Sequence, residues 1–196
     1  PPAPLRSMTV GLIGAGNMGQ ALLRGLLRAG VSRRHLMVIE SDPAAARRVS
    51  RTFGVQATDL QALVHRCDVI VVAVKPQDIR PVLEALALIC RMQRRKPLVL
   101  SIAAGVTLSA LQRHAQGLPV IRLMPNLPAK VGCGITALAA GRLAGATHRA
   151  LAKAIFTSVG EVMEVPERMF DVVTAISGSG PAYFFLIFKA LRDAGV

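Results

Sequence analysis

Three glycines raise the first chemical question. In "GLIGAGNMGQALLRGLL", Gly11 to Leu27, the pattern Gly14-x-Gly16-x-x-Gly19 follows an apolar run and opens an amphipathic one. Such a turn can seat a pyrophosphate. Gly14 permits a tight bend, Gly16 lets the backbone approach an anion, and Gly19 lets the next helix pack close. Amides at the helix start, together with the helix dipole, would face the phosphates. The pattern alone is weak, but its context strengthens it. A strand-like run precedes it, a helix-like run follows, and Glu40 ends the next strand-like run, 21 positions after Gly19. A carboxylate there would accept hydrogen bonds from the adenosine ribose hydroxyls, favour NADH and repel a 2′-phosphate. Ser41, with Arg47 and Arg48 nearby, could serve that phosphate instead if Glu40 turned away. NADH and NADPH therefore both remain open.

Other chemistries find little support. No Ser/His/Asp arrangement or carboxylate pair stands out, and His35, His65, His114 and His148 fall on expected helix or loop surfaces. Cys67, Cys90 and Cys133 lack metal-ligand spacing, so no metal is expected. Three unpatterned cysteines suggest reduced thiols and a cytoplasmic protein. The formal charge is +13, but basic residues such as Arg24, Arg28, Arg47, Arg51, Arg91 and Arg94 punctuate helical stretches. The densest cluster, Arg91 to Lys96, reads as a short loop. With no Trp and one Tyr there is no stacking platform, so no nucleic-acid partner is expected. A basic field would also attract anionic cofactors and carboxylate substrates. "DVIVVAVKP" is too short to span a bilayer, and no transmembrane segment or membrane partner is expected.

The elements that must position the glycine turn alternate in kind. "TVGLIG", "HLMVIE", "GVQA", "DVIVVAV", "PLVLSIA" and "VIRLMP" read as strands. Helices fall between them. Gly30 stops the first, Asp42 caps the second ahead of Pro43, and Thr58 or Asp59 caps the third. Strand–helix alternation implies a doubly wound parallel α/β sheet. From Gly134 the order changes to strand, helix, strand: "GITALAA", "ATHRALAKAIFTSV", "EVMEV". After Pro166 the chain reads as two helices, Glu167 to Ile176 and Pro181 to Ala194, interrupted by "SGSGP". Residues 1–7, "PPAPLRS", read as a disordered leader. Residues 8–166 form the α/β unit. Residues 167–196 are too few for their own core, and must pack on the first unit or on another chain, or else the sequence has been cut short.

"IGAGNMG", "AVKPQD", "SIAAGVTLSAL", "IRLMPNLPAKVGCG", "VGEVMEV" and "AISGSGPAYFF" occur in this order. Together they resemble the pyrroline-5-carboxylate reductases, from Met8 to Val196. The resemblance implies reduction of the C=N bond of 1-pyrroline-5-carboxylate to L-proline by NADPH or NADH, the last step of proline biosynthesis. It also implies a Rossmann-like domain followed by an all-helical dimerisation domain, here apparently incomplete, and a homodimer or higher homo-oligomer. Residue by residue, it puts Ile13, Gly14, Ala15, Gly16, Asn17 and Met18 on the pyrophosphate. It puts Ser41 at the adenosine ribose or its phosphate. Ala73, Val74, Lys75 and Pro76, then Ile102, Ala103 and Ala104, are placed at strand ends along the cofactor cleft. Asn126, ending the strand that carries Met124 and Pro125, would face nicotinamide and substrate. Ser177, Gly178, Ser179 and Gly180 would lie where the helical domain meets the pocket.

No general base is evident, and an imine tolerates that. A C=N bond is readily protonated, and the iminium is electrophilic at carbon, so the protein must chiefly orient two reactants. Two residues depart from the family pattern. Leu60 stands where many members carry an Asn that contacts the ribose, and Glu40 replaces a small polar residue. Both weigh against the family's frequent NADPH preference. Two other readings compete: another hydride-transfer enzyme of the same superfamily, such as a 3-hydroxyacid or F420-linked dehydrogenase, and a truncated, non-catalytic dinucleotide-binding module. Lys189 is the only lysine beyond residue 160 that could handle a proton in a hydroxyacid enzyme, and its helix offers no supporting pattern.

Overall fold

The computed structural model describes residue 5 and residues 7–93 and 96–195. Its elements run β1 (Val10–Ile13), α1 (Asn17–Arg28), β2 (Leu36–Ile39), α2 (Pro43–Phe53), β3 (Gln56–Ala57), α3 (Leu60–Arg66), β4 (Val69–Val72), α4 (Ile79–Arg91), β5 (Leu98–Ser101), α5 (Leu108–His114) and β6 (Val120–Pro125). Then follow β7 (Gly134–Ala140), α6 (Ala146–Phe156), β8 (Gly160–Glu164), α7 (Phe170–Val173) and α8 (Gly180–Ala194). One eight-stranded sheet has the order β3-β2-β1-β4-β5-β6-β7-β8. Every pairing is parallel except β6 with β7. The change of order after Gly134 is thus an antiparallel return followed by one more crossover.

The strands are short and apolar because helices cover both faces. In β4 and β5 every residue is buried, and successive residues point to opposite sides. Val69, Val71, Leu98 and Leu100 join a core with Leu22, Leu26, Ile155 and Phe156. Ile70, Val72 and Val99 join the opposite core with Leu83, Leu111 and Phe170. Three helix starts, those of α2, α3 and α5, are capped by side chains. Asp42 accepts from Ala44 N and Ala45 N, Asp59 from Ala62 N, and Thr107 from Ala110 N. Of the two candidate caps for α3, Asp59 is the one used.

Three expectations need correction. Of the expected leader, residues 1–4 and 6 lie outside the described residues, but Leu5 is 1% exposed and belongs to the core. Burying one leucine contributes about 1.5–3 kcal/mol. Second, "SGSGP" does not break the helix. The chain stays helical from Glu167 to Ala194, through a π-helical turn over Thr174–Gly178. Ser179 N reaches back five residues to Thr174 O at 2.9 Å, so the wider turn absorbs the glycines. Third, this run is long and apolar enough to cross a membrane by length and composition alone, and little of its most apolar stretch is buried. Splitting it at the glycines concealed that length. Arg94 and Arg95, in the expected basic loop, lie outside the described residues.

Among the described residues there is no disulfide. Cys67 and Cys90 are buried and Cys133 is exposed. Burial pushes the Cys90 thiol above its ordinary pKa, so less of it is thiolate at a given pH. Alkylation of the native protein at pH 8 should therefore modify Cys133 alone, and all three cysteines after denaturation, as read by intact mass. Modification of Cys90 at the rate of Cys133 in the native protein would contradict this packing.

Candidate functional site

The chain leaves β1 for β2 and β3 on one side and returns to β4 on the other. That switch opens a crevice beyond the carboxyl ends of the strands. The register puts Ile39, Ile13, Val72, Ser101 and Arg122 in one row across the sheet. One position further along lie Glu40, Gly14, Ala73 and Ile102. Residues picked from separate motifs thus share one rim.

Gly14 is clamped there. Its φ is +92°, and an added Cβ would sit 2.7 Å from Ala73 O. Its amide donates to Ile39 O at 2.9 Å, while Ala73 N donates to Ile13 O at 2.8 Å. Ala15 is buried, Met18 is half-buried, and Gly16 and Asn17 are exposed. A Cβ on Gly16 would meet nothing within 4 Å. Helix α1 begins at Asn17 with no side-chain cap and no acidic residue in its first turn. An open cradle before uncapped helix amides fits a pyrophosphate.

Glu40 is moored to this turn. Its Oε2 accepts from Ala15 N at 2.8 Å, and its Oε1 accepts from Ser41 N at 2.8 Å and Ser41 Oγ at 3.3 Å. Gln20 Nε2 donates to Ala15 O at 2.8 Å, so the turn is held through both its amide and its carbonyl. Glycine spacing gave no hint of Gln20. Further along the rim, Val74 and Ile102 are half-buried, Ala103 is buried and Ala104 is exposed. Lys75 is exposed, and a short 3-10 turn, Pro76–Asp78, follows it.

At the far end, β6 delivers Asn126. Its Oδ1 accepts from Ile135 N at 2.9 Å, and its Nδ2 donates to Ser177 Oγ at 3.2 Å. Residues 51 positions apart are thereby joined. Gly178 lies against Met124, whose Cε is 2.9 Å from where a Cβ would stand. Ser179 is half-buried, and buried Gly180 opens α8. The strand-end and helical candidates therefore meet.

What holds the helical arm there escaped the reading of motifs. Arg122 on β6 is 4% exposed. Its Nη1 pairs with Glu167 Oε1 at 2.9 Å, and its guanidinium carbon lies 4.4 Å from the centre of the Phe170 ring. The same carboxylate oxygen accepts from Leu108 N, at the start of α5. The signal was present: one charge inside the apolar run "VIRLMP" must find a partner when buried. A separate cavity of about 240 Å³, lined by Glu84, Arg91, Arg113 and His114, sits at the ends of α4 and α5. Those ends lead into β5 and β6, so it opens at the opposite, amino edge. Its chemistry is a surface network: Glu84 accepts from Arg80 and pairs with His114, each at 3.0 Å.

Comparison with known proteins agrees with this fold. Residues 9–105 match the family described as NADP oxidoreductase, coenzyme F420-dependent, and residues 167–196 match pyrroline-5-carboxylate reductase dimerisation. A pyrroline-5-carboxylate reductase from Mycobacterium tuberculosis is 42% identical over 191 residues, covering 95% of this chain and 65% of that protein. The structure of a pyrroline-5-carboxylate reductase from Coxiella burnetii is 34% identical with a TM-score of 0.88, covering 97% of this chain and 71% of that one. This chain belongs to the pyrroline-5-carboxylate reductase family. A further reductase of this family, from Plasmodium falciparum with NADP bound, is 28% identical with a TM-score of 0.85, covering 97% of this chain and 70% of that one. The chain spans 65% of the length of the mycobacterial reductase.

The Arg122–Glu167 pair has a direct test. Arg122→Met and Glu167→Gln should each lower stability by about 2–3 kcal/mol. That is less than the loss for a fully buried pair, because the Glu167 side chain is 33% exposed. The double variant should lose less than the two single losses added together, as measured by denaturant titration. Strict additivity would mean that the two side chains do not interact.

Proposed function

We propose that this chain is the dinucleotide-binding part, and the beginning of the helical part, of a pyrroline-5-carboxylate reductase. The domains meet at Pro166, with residues 8–166 forming the first and 167–196 beginning the second. The observation that carries this reading is the Asn126–Ser177 hydrogen bond at 3.2 Å. It joins the carboxyl edge of a dinucleotide-type sheet to the helical arm, where an oriented pair of reactants needs a common wall.

The roles follow from position. The amides of Gly16, Asn17 and Met18 would hold the pyrophosphate, while Gly14 and Ala15, whose own amides are bound by Ile39 O and Glu40, would shape the turn against it. Glu40 and Ser41 would meet the adenosine ribose. The ends of β4 and β5, Ala73 to Pro76 and Ile102 to Ala104, would flank the nicotinamide ribose, where small side chains permit close approach. NADH or NADPH, when bound, supplies the hydride. Asn126 is fixed by the Ile135 amide through its carbonyl oxygen, so its NH₂ group keeps one orientation. That NH₂ and the Ser177 hydroxyl line the wall that would receive pyrroline-5-carboxylate. No side chain is assigned as a base. An imine that binds as its iminium needs orientation more than proton removal.

The helical arm would be completed by other helices. Phe184, Phe185, Leu186, Ile187 and Phe188 are each more than half exposed. A surface this apolar marks an association site. Because residues 167–196 match a dimerisation family, we assign it to a second copy of the chain rather than to a membrane. We place the enzyme in the cytoplasm.

The test uses the full-length protein. Addition of pyrroline-5-carboxylate should cause oxidation of NADH or NADPH and form L-proline. Asn126→Ala should lower kcat/KM for the imine on the order of 10²-fold through misplacement of the reactants, while dinucleotide affinity stays within about threefold. No substrate-dependent oxidation of either dinucleotide would sink this reading.

A further inference from the structure

The corner that would meet the adenosine end of the dinucleotide is arranged against a phosphate. We propose that this chain selects NADH over NADPH through the fixed carboxylates of Glu40 and Asp42. The inference rests on the dinucleotide reading above and sharpens it.

A 2′-phosphate could be accommodated here in three ways, and each is obstructed. The first is for Glu40 to swing aside. Its two oxygens already accept from Ala15 N and Ser41 N, both at 2.8 Å. Ala15 is 3% exposed, so withdrawing the carboxylate would strand a buried amide, which is costly. The second is to use the amides at the start of α2. Asp42 fills them, with Oδ1 accepting from Ala44 N at 2.9 Å and Oδ2 from Ala45 N at 3.1 Å. The third is a cation. The first turn of α2 is Pro43, Ala44, Ala45 and Ala46, and Arg47 and Arg48 come a turn later, about 6 Å further along the helix. Arg48 is turned towards Asp42, with Nη2 3.8 Å from Oδ2.

Ser41 thus lies between two carboxylates, and a phosphate placed there meets like charge on both sides. A free ribose 2′-hydroxyl meets the opposite situation. A carboxylate offers about four lone-pair sites, and the partners at Glu40 use three of them. A ribose hydroxyl can donate to the remainder. The mooring that blocks the phosphate therefore also orients the acceptor for the hydroxyl.

Fluorescence titration of the full-length protein with NADH and NADPH tests this. NADH should bind at least about tenfold more tightly. Glu40→Gln keeps the size and an oxygen acceptor for Ala15 N but removes the charge. It should shrink the preference by about tenfold, mainly through tighter NADPH binding. Glu40→Ser, smaller and neutral, should do the same, and circular dichroism checks that both variants fold. NADPH binding as tight as NADH in the unaltered protein overturns the proposal, and so does a ratio unmoved in two folded variants. Failure of the folded protein to bind either dinucleotide overturns the dinucleotide reading itself, and this inference falls with it.

Discussion

The site depends on one steric constraint: at Gly14 there is no room for a side chain. The turn after β1 is pressed so closely on the end of β4 that an added Cβ would lie 2.7 Å from Ala73 O. A left-handed φ at the same residue admits glycine with little strain. Because the turn cannot lift away, Ala15 is delivered to Glu40 and Gly16 is left facing open space. Helix α1 then starts uncapped beyond the strand edge. Sheet order, turn geometry and the helix start converge on one rim, and that rim is where dinucleotide chemistry is proposed.

A second constraint acts at the other end. Arg122 is a permanent charge inside the sheet, and burial obliges it to pair. Its partner, Glu167, is the first residue of the helical arm, so satisfying the charge also sets where the arm begins. Ten residues on, Ser177 reaches Asn126, and Gly178 seats the arm on Met124. The arm is thus fixed at its base, while its outer half exposes the apolar side chains of α8. That pattern suits a segment whose core is completed by other helices.

Much of the fold was legible in the sequence because its signals are local. Apolar runs bounded by caps and glycines mark the parallel strands, and Asp42-Pro43 marks a helix start without any knowledge of the tertiary structure. The rim was legible too, since strand ends in an open α/β sheet are where ligands bind. What was hidden is non-local. The antiparallel turn of β7 depends on pairing with β6. Leu5 looked like part of a proline-rich leader, yet the core takes its side chain. The glycines at 178 and 180 resemble a helix break, and only packing against Met124 shows why the helix continues through a wider turn. Glu40 stood out as a carboxylate at a strand end, but its bond to Ala15 N required the folded turn.

The proposed dinucleotide site is the carboxyl edge formed by β1, β4 and β5. Hydrogen–deuterium exchange of the full-length protein, with and without dinucleotide, tests it most directly. Exchange should slow in residues 13–18, 40–41, 73–76 and 102–104, with no change at 84–91 and 113–116 at the amino edge. Protection confined to the amino edge, or unchanged exchange along the glycine turn at saturating dinucleotide, would contradict it.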